Sequence, residues 1–113
     1  MKEAYIALIT AAGQAGEDYE KYKNDSYFSY VYANKRAILS EAAESLKTLG
    51  DIRAALEKLR ADFAEYSRHA EEESLHPTFD WAGDHVWEMV YAGRVDGARQ
   101  AIIILEEYLK RDS

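Results

Sequence analysis

The chain has 113 residues, of which 48% are hydrophobic and 31% charged, and its formal net charge is −7 at pH 7. These values are typical of one globular domain with its own core, and no apolar run approaches the roughly 20 residues of a membrane helix. The absence of cysteine excludes disulfides, thiolate zinc sites and cysteine nucleophiles, and it fits a cytoplasmic protein. An acidic surface disfavours binding to nucleic acid and to anionic membranes.

Hydrophobic residues recur at helical spacing along the chain, which predicts helices throughout and no strands. The first helix is expected at about residues 2–22, followed by a break at residues 23–26. Gly13 and Gly16 lie within it among several alanines. Since each glycine costs roughly 1 kcal/mol in a helix interior, this small-residue face predicts close approach of a neighbouring helix.

The second predicted helix begins with Asp25 or Ser26, either of which can cap it by accepting a hydrogen bond from a free backbone amide. It is expected to end at about Leu49. Gly50 fits the left-handed position that ends many helices, and Asp51 fits the N-cap of the next helix. The sequence therefore predicts a helical hairpin over residues 26–75. The apolar residues expected on one face of the second helix are Phe28, Val31, Ile38, Ala42, Leu46 and Leu49.

The third predicted helix has the most regular apolar stripe, which is typical of an antiparallel bundle. Its members are Ile52, Leu56, Leu59, Phe63, Tyr66 and Ala70. Pro77 is expected to end the helix, because its ring removes a backbone donor and disfavours helix in the preceding residue.

A short fourth helix is predicted at about residues 79–92, with Gly93 ending it and Asp96 capping a fifth helix. The residues predicted to face the core here are Phe79, Ala82, Val86, Met89, Val90 and, in the fifth helix, Ala98, Ile102, Leu105 and Leu109. The fold class predicted from these elements is an all-α, antiparallel bundle of four to five helices with short loops, formed by the single domain 1–113.

Histidines are confined to one stretch of the chain, and they raise the question of a metal site. His69, Glu73 and His76 share a helix face, and His85, Asp80 and Asp84 follow after the proline. This stretch resembles the middle of a hemerythrin-type diiron domain, which implies ligand roles for His69, Glu73 and His85. That family also needs a histidine on its early helices, and residues 1–68 contain none. We therefore predict no metal and no cofactor, with this cluster as the alternative.

Paired carboxylates give a second resemblance. Glu41-x-x-Glu44 is similar to the first half of the metal-binding motif in the all-α nucleotide pyrophosphohydrolases. Those enzymes also need a Glu-x-x-Asp on a later helix, and no aspartate of this chain has a glutamate three residues before it. Half of the magnesium ligands are therefore absent.

A tyrosine-rich segment covers the end of the first predicted helix and the start of the second. Its aromatic members are Tyr19, Tyr22, Tyr27, Phe28, Tyr30 and Tyr32, and they are interleaved with Lys21 and Lys23 and followed by Lys35 and Arg36. Three interpretations stand beside one another: rings packed in and around the core, a protein interface in which tyrosine is enriched, or a platform that stacks nucleobases.

Trp87 and Tyr91 lie one helical turn apart, and the helical wheel places them away from the core beside Asp80 and Asp84. Such a pair among acids is a candidate hot spot for a basic partner; the alternative is a helix buried on both sides. We expect a non-enzymatic protein-binding module of the inhibitor, immunity or regulatory type. It would occupy a basic surface of another protein, such as a surface that binds nucleic acid. The alternative is a bundle that binds a metal ion or nucleotide through the histidine stretch or the tyrosines. The sequence leaves open whether the chain is a homo-oligomer.

Overall fold

The computed structural model describes residues 1–77 and 86–112, and four helices contain nearly all of them. They are α1 (Lys2–Tyr22), α2 (Phe28–Leu49), α3 (Ile52–Leu75) and α4 (Val86–Asp112). No strand occurs in these two ranges. The all-α prediction is confirmed, as are the predicted limits of the first three helices to within two residues.

The turns between the first three helices form as their residue types predict. The Asp25 carboxylate accepts hydrogen bonds from the backbone amides of Tyr27 and Phe28, both at 2.8 Å, and so satisfies two donors at the start of α2. Gly50 has a φ of 68° and donates its N–H to the carbonyl of Leu46. The Asp51 carboxylate then accepts from the amide of Ala54 at 3.2 Å, which caps α3.

Consecutive helices run antiparallel, but the closest central pair, α2 and α4, runs parallel. Residue 31 of α2 lies against residue 93 of α4, and residue 35 lies against residue 97. α1 packs mainly against α2, and α3 packs mainly against α4. Among the described residues α1 and α3 have no Cα atoms within 8 Å of each other. The bundle is therefore flattened around the α2–α4 pair, with extents of 49 × 29 × 20 Å.

α4 is one continuous helix, so the prediction of a short fourth helix and a separate fifth helix is wrong. Gly93 does not end a helix. A Cβ there would overlap the carbonyl oxygen of Val31, and a Cβ on Gly97 would lie 2.9 Å from the carbonyl oxygen of Lys35. The two glycines thus allow the backbones of α2 and α4 to approach. Asp96 caps nothing and instead forms an ion pair with Lys35 at 3.1 Å.

The core is built from the faces of all four helices that point inward. Its fully buried members include Leu8, Leu39, Leu46, Leu56 and Leu105. Ile38, Ala42 and Leu46 confirm the predicted face of α2, and Ile52, Leu56 and Leu59 confirm that of α3. The ends of both stripes leave the core: Phe28 is 42% exposed and Leu49 is 47% exposed, while Phe63, Tyr66 and Ala70 are half-buried.

The small-residue face of α1 is divided between two surroundings. Ala12 and Ala15 are buried, as expected for a face in contact with another helix. Gly16 lies beside the side chain of Arg36, whereas a Cβ on Gly13 would meet no atom within 4 Å. The predicted close approach therefore holds for the alanines and does not extend to Gly13.

All buried residues in the described ranges are apolar, and charged side chains lie outside the core. None of the helices described has a stretch that is both long and apolar enough to cross a bilayer.

Candidate functional site

One end of the bundle gathers the aromatic side chains of the two segments singled out from the sequence. α2 and α4 both begin at this end, because they run parallel. An open groove of about 520 Å³ lies between their first turns, and its lining includes Tyr27 and Tyr30 from α2 and Val86 and Met89 from α4. We call this region, together with the adjoining end of α3, the aromatic end.

The tyrosine segment forms a chain of ring contacts on the α1–α2 side of this end. The Tyr22 ring lies 5.6 Å from that of Tyr32 and 5.5 Å from that of Phe28, and Tyr27 meets Phe28 edge-on at 5.2 Å. Tyr27 and Phe28 are exposed, while Tyr22 and Tyr32 are half-buried. Tyr30 is also exposed and Tyr19 is half-buried, so none of these rings belongs to the buried core.

The basic residues of the tyrosine segment contact protein groups. The Lys21 ammonium lies 5.2 Å from the centre of the Tyr22 ring, and Lys23 forms an ion pair with Glu20 at 3.2 Å. Lys35 is paired with Asp96 across the α2–α4 contact. A nucleotide phosphate would have to compete with these contacts.

Trp87 and Tyr91 differ in their exposure. Trp87 is 43% exposed at the surface of the aromatic end. Tyr91 is half-buried: the His69 ring stacks on it at 5.0 Å with planes 14° apart, and the centre of the Trp87 ring lies 6.1 Å from that of Tyr91. Tyr91 therefore lies outside the buried core, and α3 covers part of its ring. Its part in binding a partner stays a prediction. Asp80, Asp84 and Trp81 lie outside the described residues.

The Arg94 guanidinium contacts the Tyr91 ring of this stack, and its position was not predicted from the sequence. Its guanidinium lies 5.6 Å from the centre of the Tyr91 ring and 5.7 Å from that of Tyr66. Its Nε also donates to the Asn34 side-chain oxygen at 3.3 Å. Arg94 thus links α2, α3 and α4. The spacing of Tyr91 and Arg94, three residues apart on one helix, was the available signal.

The histidines of the described ranges do not form a metal-binding group. Within residues 1–77 and 86–112, no three histidine, aspartate or glutamate side chains are placed to hold one ion. His69 lies near Glu65 at 3.6 Å and Glu72 at 3.7 Å, and its ring is engaged with Tyr91. His76 is an exposed residue at the end of α3. His85 lies outside the described residues.

Carboxylates accumulate at the end of α3, beside the ring stack. Glu71, Glu72 and Glu73 lie in its last turns, which carry no basic residue in the final turn. The carbonyl end of a helix is itself negative, so acids are unfavourable there by some tenths of a kcal/mol each. Arg68 offsets part of this through its contact with Glu72 at 3.2 Å. The aromatic end therefore combines exposed rings with concentrated negative charge.

Tyr66 provides a test of how closely the three helices pack at this point. Burial raises the pKa of Tyr66 above its ordinary value of 10.0, and the carboxylates of Asp62 and Glu41 add to the effect. Because the folded pKa exceeds the unfolded pKa, this contribution to stability is fully present below pH 10 and is lost as pH rises through the folded pKa.

A Tyr66→Phe variant lacks this titration, so its free energy of unfolding should fall less steeply than that of the parent between about pH 9 and 11. Urea unfolding at stepped pH measures the difference. Tyr5→Phe, on α1 and outside this contact, is the control and should follow the parent. Equal slopes for Tyr66→Phe and the parent would mean that ionisation of the Tyr66 phenol does not lower the free energy of unfolding.

Comparison of the chain with protein-family models, with curated proteins and with solved structures found no match.

Proposed function

We propose that the chain is a non-enzymatic protein-binding module that uses the aromatic end to occupy a basic surface of another protein. The observation that carries the proposal is the exposed Trp87 ring next to the His69–Tyr91 stack, whose His69 also lies 3.7 Å from Glu72 near the end of α3. Aromatic rings supply contact area at interfaces. Carboxylates at the negative end of a helix are stabilised electrostatically when a cationic group lies next to them. A basic partner surface offers both kinds of contact at once.

The charge distribution supports a basic partner. Residues 1–38 carry five acids and five bases, so the whole net charge of −7 comes from the remainder of the chain. α3 and α4 belong to that remainder and frame the Trp87 surface. Complementary charge speeds encounter, and added salt weakens it as the Debye length shortens to about 8 Å at physiological strength.

Exposed charges contribute little net binding free energy, so a side chain that becomes desolvated in the complex has to supply most of the affinity. Trp87 is suited to that role because its ring is accessible while the neighbouring Tyr91 is held by His69 and Arg94. A pre-ordered support lowers the entropy lost on binding. Proteins with nucleic-acid-binding grooves fit this description. The glutamates would pair with the basic side chains that otherwise contact phosphates.

The experiment is affinity purification from the native host with parent and Trp87→Ala baits, followed by affinity measurement on the protein that only the parent retains. Trp87→Ala should weaken binding by about 2 kcal/mol or more, and Glu72→Gln should weaken it at low salt and have less effect at moderate salt. Ile103→Ala removes an exposed apolar side chain elsewhere on α4, and Glu57→Gln removes a charge elsewhere on α3. Neither control should change binding.

Circular dichroism distinguishes a lost interface from a lost fold. A Trp87→Ala variant that unfolds would show that the ring is structural. Folded Trp87→Ala protein that binds as tightly as the parent would contradict the proposed surface and direct attention to Tyr27, Phe28 and Tyr30. Binding that is lost in a His69→Ala variant together with one tightly held metal ion per chain would instead support the metal-binding alternative.

A further inference from the structure

The outer face of α1 carries a stripe of residues at alternating spacings of four and three. Its six members, Lys2, Ile6, Ile9, Gly13, Gly16 and Glu20, fall within an arc of roughly 80° at about 100° per residue. The buried residues of α1 lie on a different face. Alternation of this kind allows two helices to pack against each other along their length.

Two large apolar residues occupy the first half of this stripe and two glycines occupy the second half. Ile6 is 51% exposed and Ile9 is 43% exposed. A Cβ on Gly13 would meet no atom within 4 Å, and at Gly16 the nearest atoms belong to the flexible Arg36 side chain at 3.4 Å. The stripe thus presents two projecting side chains in its first half, an open position at Gly13 and, at Gly16, a position bordered by the flexible Arg36 side chain.

A second copy of α1 laid antiparallel fits this pattern. When the two helices cross at residue 11, Ile9 of each copy faces Gly13 of the other, and Ile6 faces Gly16. The same register places Lys2 opposite Glu20. A two-fold axis makes each contact occur twice, so size and charge are complementary in one arrangement. A parallel pair would instead set isoleucine against isoleucine and lysine against lysine.

We propose that two copies of this chain associate through α1 as a symmetric, antiparallel dimer. The glycines let the two backbones approach, and the isoleucines leave water as they enter the space above them. Glu20 can leave its present ion pair with Lys23 at little cost in free energy, because that pair is exposed, with side-chain exposures of 67% and 53%. An interface of one 21-residue helix per copy is small, so we expect a dissociation constant in the micromolar range.

Sedimentation equilibrium of the full chain from about 5 to 500 μM measures the association. The parent should move from monomer to dimer across this range. Gly13→Gln should raise the dissociation constant by about tenfold or more, because the new side chain fills the space that Ile9 of the other copy needs. The same change should raise the thermal midpoint of the monomer, because glycine is a poor helix former and nothing obstructs a side chain there. Ala64→Gln, at an exposed position of α3, is the matched control and should associate like the parent.

Exchange of charges tests the register independently. Lys2→Glu and Glu20→Lys should each weaken the dimer by several-fold, because each sets like charges opposite one another. The double variant places opposite charges together again, so its dissociation constant should return to within about threefold of the parent value. Misfolding of the single variants could not explain such a recovery in the double variant.

Three results would overturn the proposal. One is a parent that stays monomeric throughout the range, and another is a dimer whose dissociation constant is unchanged by Gly13→Gln. The third is a monomeric parent that binds phosphatidylcholine vesicles and loses this binding in an Ile6→Ser, Ile9→Ser variant, since the occupant of the face would then be a lipid surface. A dimer weakened by both single charge changes and recovered in the double variant establishes the antiparallel arrangement.

Discussion

Replacing Gly93 by alanine should lower the free energy of unfolding by about 2–3 kcal/mol, although alanine is the better helix former by about 1 kcal/mol. A Cβ at this position would overlap the carbonyl oxygen of Val31 and lie 2.8 Å from the Cβ of Asn34. These atoms belong to the backbone and to the base of a side chain, so they cannot rotate away. α2 and α4 would have to separate, which also loosens the buried contacts on either side.

Gly13→Ala is the matched control for that experiment. It makes the same chemical change in the interior of another helix, at a position where the added methyl group meets nothing within 4 Å. In dilute solution it should raise the free energy of unfolding by about 0.5–1 kcal/mol. Chemical denaturation of both variants measures the contrast in sign. Gain of stability in both would mean that α2 and α4 do not approach as closely as the structure has them.

Leu59→Ala should cost about 2–5 kcal/mol. The Leu59 side chain is 4% exposed and belongs to the main core cluster, so truncation removes apolar contacts and leaves a cavity. Phe63 lies one turn further along the same stripe but is half-buried, with the Arg99 guanidinium 5.7 Å from its ring centre. We therefore expect Phe63→Ala to cost about half of the usual 3–5 kcal/mol for a buried phenylalanine.

Glu57→Ala sets the baseline for that series, because Glu57 is exposed on the outer face of α3. Its effect on the free energy of unfolding should stay within about 0.5 kcal/mol. Thermal or urea denaturation of the three variants ranks them. If Glu57→Ala is as damaging as Leu59→Ala, the assignment of inner and outer faces on α3 is wrong.

Local chemistry allowed much of the fold to be predicted from the sequence. Asp25 accepts hydrogen bonds from amides at the start of α2, Asp51 caps α3, and Gly50 adopts the left-handed conformation, because each of these roles depends on a residue and its immediate neighbours. The stripes of α2 and α3 are likewise set by spacing within one helix. Such features need no knowledge of the other helices.

Features that depend on two helices could not be predicted in this way. Gly93 followed by Asp96 has the same sequence pattern whether it ends one helix and caps the next or lies within a single helix. The choice is made by the backbone of α2, which approaches Gly93 and Gly97, and by Lys35, which pairs with Asp96. Neither the contact nor its direction is encoded in the residues of α4 alone.

The candidate site shows the same limit. The helical wheel correctly left Trp87 exposed, but it could not show that His69 from α3 covers Tyr91. It also could not join the tyrosine segment to Trp87, since their shared position depends on α2 and α4 running parallel. Side-chain types indicated which groups could bind a partner, and topology decided which of them lie at the same end of the bundle.

The separation of the α1 and α3 backbones has a consequence for regulation. No Cα atom of α1 lies within 8 Å of one of α3, so a backbone movement at the α1 surface reaches α3 mainly by way of α2 and α4. Those two helices are fixed against each other at Gly93 and Gly97, where a shift meets backbone atoms at once. Because this close packing resists rearrangement, we expect no second arrangement of the pair for either ligand to favour, and without such a state two binding events are not allosterically linked. The two surfaces should therefore be occupied independently, and dimerisation would act on partner binding through avidity alone, by presenting two aromatic ends on one particle.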